Sequence, residues 1–244
     1  MTLDTDHNLG NVYFSQDKLG GAEKLHQQAL VWCEKSLGMN HLSTLETVNN
    51  FGNLYHVKGE LEEAEQIYQR ALAGKEKTLS MGHTSTLDTV NNLAVTFHDQ
   101  GKLTEAEHMY KRALAGRQQT VGFDHTLTLN TISTLGVMYC DQGKLNEAKQ
   151  IHQRVLARRE IIMLGLDHRL TLDTVNNIGI IYVKQGEVEN GEQMFQRALA
   201  GKEKLLGTGH LSTIGTVHNL ELLRQHKGKL NRKGKSISSF CYSQ

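Results

Sequence analysis

Proline is absent from all 244 residues, although average usage would give roughly a dozen. Aromatic residues make up only 6% of the chain, and the cysteines number three: Cys33, Cys140 and Cys241. An odd number of widely spaced cysteines predicts reduced thiols, and neither a disulfide framework nor a zinc site. The first residues lack the features of a secretion signal, and no apolar run approaches the ~18 residues that span a bilayer. We therefore expect a cytoplasmic protein without a membrane-embedded part.

An excess of charge of one sign is also missing, since 27 Lys and Arg face 26 Asp and Glu. This balance argues against a dedicated nucleic-acid-binding protein. The strongest charge block consists of Lys227, Lys229, Arg232, Lys233 and Lys235. It is either a nuclear or nucleic-acid signal or a solvated, poorly ordered tail, and we favour the tail. We expect no nucleic acid partner.

The sequence does contain an internal repeat. A Thr-Leu-Asp/Glu-Thr pattern recurs with its apolar residue at Leu3, Leu45, Leu87, Leu129, Leu172 and Ile214. The interval is 42 residues at every step except one of 43, whose extra residue lies within 161–167. Two further blocks, V-N-N-apolar-G and G-x-L-x-E-A, recur with the same period. The chain therefore consists of five copies of one unit and part of a sixth.

Each copy is predicted to form two helices. Apolar residues recur at helical spacing in both segments, and Gly59 between them suits a left-handed helix end. Ser43 with Glu46, and Ser85 with Asp88, fit a capping box at the start of the first helix. Gly52 and Ala64 stand where the paired helices should cross. We predict an all-α fold: an α-solenoid, a right-handed superhelix of antiparallel helix pairs with about 11 helices.

This architecture is expected to occupy residues 1–228, as five hairpins and a final single helix of about 212–227. Glu221 and Arg224 replace the usual small and aromatic residues of that helix, which suits a terminal capping helix. Residues 229–244 are expected to form a basic and then Ser-rich tail. Whether the chain is a fragment of a longer array is left open.

The pattern resembles the tetratricopeptide repeat. Gly52, Tyr55, Ala64, Tyr68 and Ala71 match the offsets of its signature residues. The 42-residue period, the H-x-x-T-L opening and the N-N pair are similar to the long-period subgroup of kinesin light chains and fungal NB-ARC-associated arrays. That subgroup carries proline after the repeated histidine, where this chain has other residues: Leu42, Thr84, Thr126, Arg169 and Leu211.

Catalytic and metal-binding patterns are lacking. Histidines recur at the joints between copies: His41, His83, His125, His168 and His210. Successive copies should lie ~10 Å apart, whereas zinc needs nitrogens about 2 Å away, so we expect these histidines to hold the turns. There is no P-loop, nucleophile elbow or H-E-x-x-H motif. Cys140 is expected to be a packed residue, with a reactive thiol as the alternative. We predict a protein that is not an enzyme and needs no cofactor.

The resemblance implies a peptide-binding groove along the first helices. One stripe of the second copy would line it with Glu46, Asn49, Asn53 and His56, and the counterparts elsewhere are Asp88, Asn91, Asp173 and Asn176. Asn50 is expected to face the next hairpin instead. For the Asn49 set, structural hydrogen bonding remains open as an alternative to peptide contact.

The favoured function is a non-catalytic scaffold for protein–protein interaction that binds an extended peptide. The alternatives are a sensor array of an NB-ARC-type ATPase whose catalytic part is missing, a fragment without independent function, an enzyme, and an RNA-binding repeat. Because the stripe carries carboxylates and no Lys or Arg before Lys58 and Lys184, we expect a neutral or basic partner. The chain itself is expected to be a monomer.

Overall fold

The computed structural model describes residues 19–163 and 165–233, and every regular element in this part of the chain is helical. Its ten α-helices are α1 (Leu19–Ser36), α2 (Leu42–Val57), α3 (Leu61–Thr78), α4 (Thr84–Asp99), α5 (Leu103–Thr120), α6 (Thr126–Asp141), α7 (Leu145–Arg158), α8 (Arg169–Lys184), α9 (Val188–Leu206) and α10 (Leu211–Lys233). The eleventh expected helix falls within residues 1–18, outside the described residues.

The chain forms two compact units, Met1–Phe123 and Asp124–Gln244. In the amino-terminal unit, the hairpins α2–α3 and α4–α5 stack in order after α1. In the carboxy-terminal unit, the hairpins α6–α7 and α8–α9 stack in order, and α10 packs against α9. The predicted all-α architecture of stacked helix pairs is therefore confirmed.

Small residues permit the helices of a pair to cross closely. A Cβ atom added to Gly52 would lie 2.7 Å from Cε1 of Tyr68, a buried ring on the opposing helix. Gly179 stands in the same relation to Phe195, and Gly136 to His152. The predicted crossing at Gly52 is confirmed, because a side chain there would push the aromatic ring out of the core.

Histidine caps the first helix of every described repeat. In each case Nδ1 of the residue before the helix accepts the backbone N–H two residues later: His41, His83, His125, His168 and His210. The first four of these histidines have an extended backbone. The structural role expected for these histidines is confirmed, and the predicted capping boxes at Ser43 and Ser85 are wrong. The Ser85 hydroxyl donates to Glu46 of the preceding repeat instead.

The extra residue of the fourth repeat is accommodated by a π-helical turn, Arg159–Met163, directly after α7. A π turn widens the hydrogen-bonded ring by one residue, so an insertion can be absorbed without breaking the helix. At the other end of the chain, α10 continues to Lys233, beyond its expected end at Lys227. Glu221 and Arg224 are exposed on it, as suits a terminal helix. The tail at 234–244 lies outside the described residues.

His152 occupies the core position that holds Tyr68, Tyr110 and Phe195 in neighbouring repeats. Its side chain is fully buried, and neither ring nitrogen has a hydrogen-bond partner. Burial, with a smaller effect of the nearby positive charge of Arg159, lowers its pKa to about 4. The ring of His152 is therefore neutral in the folded protein at pH values well above 4.

The effect of introducing proline can be tested at Thr84, the first residue of α4. His83 has φ −66° and ψ 141°, which suit a residue before proline, and the amide of Thr84 lies where a helix offers no acceptor. We expect Thr84→Pro to raise the free energy of unfolding by roughly 0.4–1 kcal/mol. Ser85→Pro should instead lower it by about 1 kcal/mol or more, because the Ser85 N–H donates to His83 Nδ1 at 3.2 Å. Urea denaturation of both variants measures the difference, and equal midpoints would contradict this account of the cap.

A second prediction concerns pH. Between about pH 6.5 and pH 4 the unfolded chain holds a proton on His152 that the folded chain excludes, so stability falls as the pH falls through this window. We expect His152→Phe, which copies the Gly179–Phe195 pair, to remove up to about 1.4 kcal/mol of that loss per pH unit. Thermal or urea unfolding across the window measures it. Phe195→His is the reciprocal variant and should steepen the loss at acid pH; identical slopes in all three proteins would refute the assignment.

Candidate functional site

Four first helices, α2, α4, α6 and α8, are followed by their second helix in the described part of the chain. Each of them has one side that is not fully buried. In α2 this side carries Ser43, Glu46, Asn50 and Asn53, spaced three or four residues apart, while Leu45, Val48 and Gly52 are buried. We call this side the first-helix face. Its other members are Asp88, Asn92 and Asp99 on α4, Asn130, Thr134 and Asp141 on α6, and Asp173, Asn177 and Lys184 on α8.

A buried cation lies behind this face in four repeats. Lys75, Arg117, Arg159 and Lys202 occupy the same position of successive second helices, and none is more than 4% exposed. In the first described repeat the position holds Cys33, which is also buried and contacts the Thr47 hydroxyl at 3.7 Å. A buried charge is costly unless oxygen atoms surround it, so each cation constrains its neighbours.

The two lysines have the same set of partners. Lys75 Nζ lies 3.3 Å from the Glu46 carboxylate on its own hairpin, and donates to Thr89 Oγ1 at 3.0 Å and to the Ser85 carbonyl at 3.3 Å on the next. Lys202 lies 2.8 Å from Asp173, and donates to Thr216 Oγ1 at 3.1 Å and to the Ser212 carbonyl at 3.3 Å. Burial lowers the pKa of Lys75 and Glu46 opposes that shift. Lys75 therefore joins its hairpin to the next one, and Lys202 joins its hairpin to α10.

The two arginines differ in their partner on the first helix. Arg117 lies 2.5 Å from the Asp88 carboxylate. Arg159 meets the amide of Asn130, whose Oδ1 accepts from Nη2 at 2.7 Å, and it also donates to the Leu170 carbonyl at 2.7 Å and to Thr174. Burial lowers the pKa of Arg159 to about 10. The fourth repeat thus keeps the buried cation and lacks its carboxylate.

These cations correct the sequence interpretation. The carboxylates Glu46, Asp88 and Asp173 were expected to line a surface without nearby Lys or Arg, yet each is paired with a cation from the second helix. Helical spacing could have predicted that these cations are buried. Lys75 is four residues after Ala71 and seven after Tyr68, and both of these are buried.

The environment of Asn49 in the second repeat also differs from the expected one. Asn49 is only 7% exposed, and its Oδ1 accepts from Thr89 on the next hairpin at 2.9 Å. The expectation that Asn49 lines the surface is therefore wrong, because the helix turns this residue toward the neighbouring hairpin. Its neighbour Asn50, expected to face that hairpin, is only partly buried. The counterparts Asn91 and Asn176 are half-buried, and Asn176 accepts from Asn219 at 3.4 Å.

Asn53 and His56 are partly exposed, as expected, but both are held by their surroundings. Asn53 Oδ1 accepts from the Tyr68 hydroxyl at 2.6 Å and from Asn92 Nδ2 at 3.1 Å. His56 Nε2 lies 2.8 Å from the Asp99 carboxylate on the next first helix. The first-helix face of the amino-terminal unit is therefore a fixed polar network.

Cys140 was the residue for which the sequence left a reactive thiol open. Cys140 is buried, and burial raises the pKa of its thiol despite the nearby Lys184 ammonium, which disfavours a reactive thiolate. Among the described residues, no group of three or more His, Cys, Asp or Glu side chains could hold a metal ion. In the same part of the chain, no helix is both long and apolar enough to cross a membrane.

Family models of the tetratricopeptide repeat match residues 1–77, 85–161 and 171–212. No curated protein sequence matches the chain.

Solved structures share the fold. A kinesin light chain-like protein of nearly identical TPR-like repeats from Podosopora anserina is 22% identical, with 84% of this chain and 96% of that chain covered and a TM-score of 0.68. BtubC from P. vanneervenii is 23% identical, with 83% and 79% covered and a TM-score of 0.69. The quorum sensor NprR from B. thuringiensis is 18% identical, with 93% of this chain and 59% of NprR covered and a TM-score of 0.69.

The role of the buried pairs can be tested by removing one charge. Asp88→Asn would leave Arg117 buried without its carboxylate, so we expect the free energy of unfolding to fall by about 1–3 kcal/mol. This loss is smaller than for a fully buried ion pair, because Asp88 reaches solvent. Asp99→Asn changes an exposed carboxylate paired with His56 and should cost less than about 1 kcal/mol. Chemical denaturation compares the two variants. A larger loss for Asp99→Asn would show that the buried cation does not depend on Asp88.

Proposed function

Because the chain belongs to the tetratricopeptide repeat family, we propose that it is a non-catalytic scaffold that binds an extended segment of a partner protein on the first-helix face. The proposal is supported chiefly by one observation: polar side chains on this face are partly exposed yet held by contacts within and between repeats. A similar fold occurs in NprR, whose structure is described in complex with its cognate peptide NprX.

The amides supply the chemistry that an extended backbone requires. Asn92 donates to Asn53 through Nδ2, while its Oδ1 accepts no hydrogen bond from the described residues. That oxygen is available to a peptide N–H, and the hydrogen bond to Asn53 keeps the side chain in place. A surface that is ordered before binding loses less conformational entropy when a ligand arrives.

We further propose that the amino-terminal unit favours a neutral or basic segment. The carboxylates of Glu46, Asp88 and Asp99 are exposed enough to meet a ligand, whereas Lys75 and Arg117 lie behind them and are almost fully buried. An approaching chain would therefore meet carboxylate oxygens first. The buried cations reduce the net negative potential of this face. The preference for a neutral or basic segment therefore depends on direct contact with the carboxylates and is weakened by salt.

The oligomeric state and the cellular location are also part of the proposal. We propose a monomer in the cytoplasm, where the buried thiols of Cys33 and Cys140 stay reduced. The alternative role, as the sensor array of an NB-ARC-type ATPase, would require a nucleotide-binding part elsewhere.

The test is direct binding of the full chain to immobilised extended peptides of neutral, basic and acidic composition. We expect neutral or basic peptides to bind, and Asn92→Ala to weaken them by about 2- to 10-fold through loss of one or two hydrogen bonds. Glu105→Ala is the matched control, since this residue is exposed on a second helix. Asp88→Lys is unsuitable, because it would place a second cation beside Arg117.

Binding lost equally in Asn92→Ala and Glu105→Ala would place the contact elsewhere. Exclusive binding of acidic peptides to the amino-terminal unit, unaffected by salt, would contradict the charge preference.

A further inference from the structure

One side of α10 is left uncovered by the helices of the described part of the chain. In that part α10 packs on α9 and α8, and its Leu220 and Leu223 are buried in this contact. A second side is open to solvent, because Leu211 is 79% exposed and Ile214 is 48% exposed. The first helices α2, α4, α6 and α8 each pack against a second helix of their own, and α10 is the first helix that does not.

Ile214 differs from an ordinary exposed apolar residue, because its counterparts belong to the core of each complete hairpin. These counterparts are each only 1% exposed: Leu45, Leu87, Leu129 and Leu172. In three of the hairpins the leucine packs against a glycine of the second helix. A Cβ atom added to Gly201, for example, would lie 2.5 Å from Cδ2 of Leu172. Ile214 therefore occupies a core position that requires a second helix with a small residue opposite it.

The residues that directly follow do not supply this helix. In the complete hairpins a glycine with positive φ, such as Gly143, lies in the turn to the second helix. The four residues 143–146 recur unchanged as 228–231. However, α10 continues through Gly228 to Lys233 as one helix. The chain thus keeps the sequence of the turn but continues along the helix axis, so the side that carries Ile214 stays uncovered.

Glu221 indicates the charge that a helix on this side should carry. It stands where Gly52 contacts Tyr68, and where Gly179 contacts Phe195, in complete hairpins. The glutamate is exposed, and its side chain fills the space that glycine leaves for the ring. A long, flexible and positively charged residue at the aromatic position would fit beside it and pair with the carboxylate.

We propose that α10 binds an amphipathic helix of a partner protein in the place of the missing second helix. The partner helix lies antiparallel to α10, since Leu172 meets Gly201 while Gly179 meets Phe195. It carries Lys or Arg opposite Glu221 and, six residues later, Gly or Ala opposite Ile214. The inference goes beyond the proposed function, because this surface is not part of the first-helix face.

Peptides with the sequence of α9, Val188–Leu206, serve as probes, because α9 is itself a second helix of this chain. The first probe carries Phe195→Lys and should bind the full chain. The second carries Phe195→Glu and should bind about fivefold more weakly, because it opposes Glu221. The third carries Phe195→Lys and Gly201→Leu and should bind about tenfold more weakly than the first. Leucine favours the helix more than glycine does, so this loss would come from contact with Ile214.

Fluorescence anisotropy of the labelled peptides at low salt measures these affinities, and four variants of the chain locate the surface. Ile214→Lys should abolish binding of the first probe. Met81→Lys is the matched control, because it places the same charge at a loop residue of the amino-terminal unit that is 63% exposed. Glu221→Lys should reverse the order of the lysine and glutamate probes, a gain that misfolding cannot produce. Asn92→Ala should leave the affinities unchanged, since Asn92 lies on the first-helix face.

Equal binding of all three probes, or an unchanged order in Glu221→Lys, would overturn the inference. No binding of the first probe would do so too, as when residues 234–244 cover this side. Sedimentation velocity tests a second copy: a dimer that Ile214→Lys dissociates would assign the surface to self-association and overturn a partner helix. Loss of probe binding in Asn92→Ala would place the contact on the first-helix face instead. If the extended peptides of the preceding experiment still bind in any of these cases, only this inference fails and the proposed function stands.

Discussion

Burial of one cation behind each first-helix face is the constraint on which much of this structure depends. A lysine or arginine within the stack needs oxygen partners, and no single hairpin supplies all of them. For Lys75 and Lys202 the carboxylate comes from the first helix of the same repeat, while the backbone carbonyl and threonine hydroxyl come from the next first helix. For Arg159 an asparagine amide replaces the carboxylate. Within each of the two units, stacking and charge compensation are therefore linked, because one cation contacts two successive first helices.

The same constraint organises the first-helix face. A carboxylate that must reach an inward cation cannot turn fully to solvent, so Glu46, Asp88 and Asp173 hold ordered oxygens on this face. The amides of Asn53 and Asn92 are fixed by hydrogen bonds between successive first helices. Variation at one repeat then has a defined chemical meaning: the buried cation of the fourth repeat, Arg159, meets the amide of Asn130 where the other repeats have a carboxylate.

At other positions different residues replace one another between repeats, because only the shape of the side chain matters there. The ring that packs on Gly52 is tyrosine, the one on Gly179 is phenylalanine, and the one on Gly136 is histidine. A planar side chain fits each crossing, but only the histidine must stay neutral to remain there. The inserted residue of the fourth repeat is absorbed in a π turn, so the start of the next repeat retains its histidine cap.

The sequence by itself determined the period, the helix pairs, the crossing at Gly52 and the helix end at Gly59, whose φ is +78°. These follow from local rules of helical spacing, residue size and backbone conformation, which repeat with the chain. The tertiary structure decided which neighbour each polar side chain meets. Helical spacing places Asn49 and Asn50 about 100° apart but does not say which of them faces the next hairpin. That choice, the burial of Lys75 and the histidine caps depend on contacts between residues that are distant in sequence or on rotamers that packing selects.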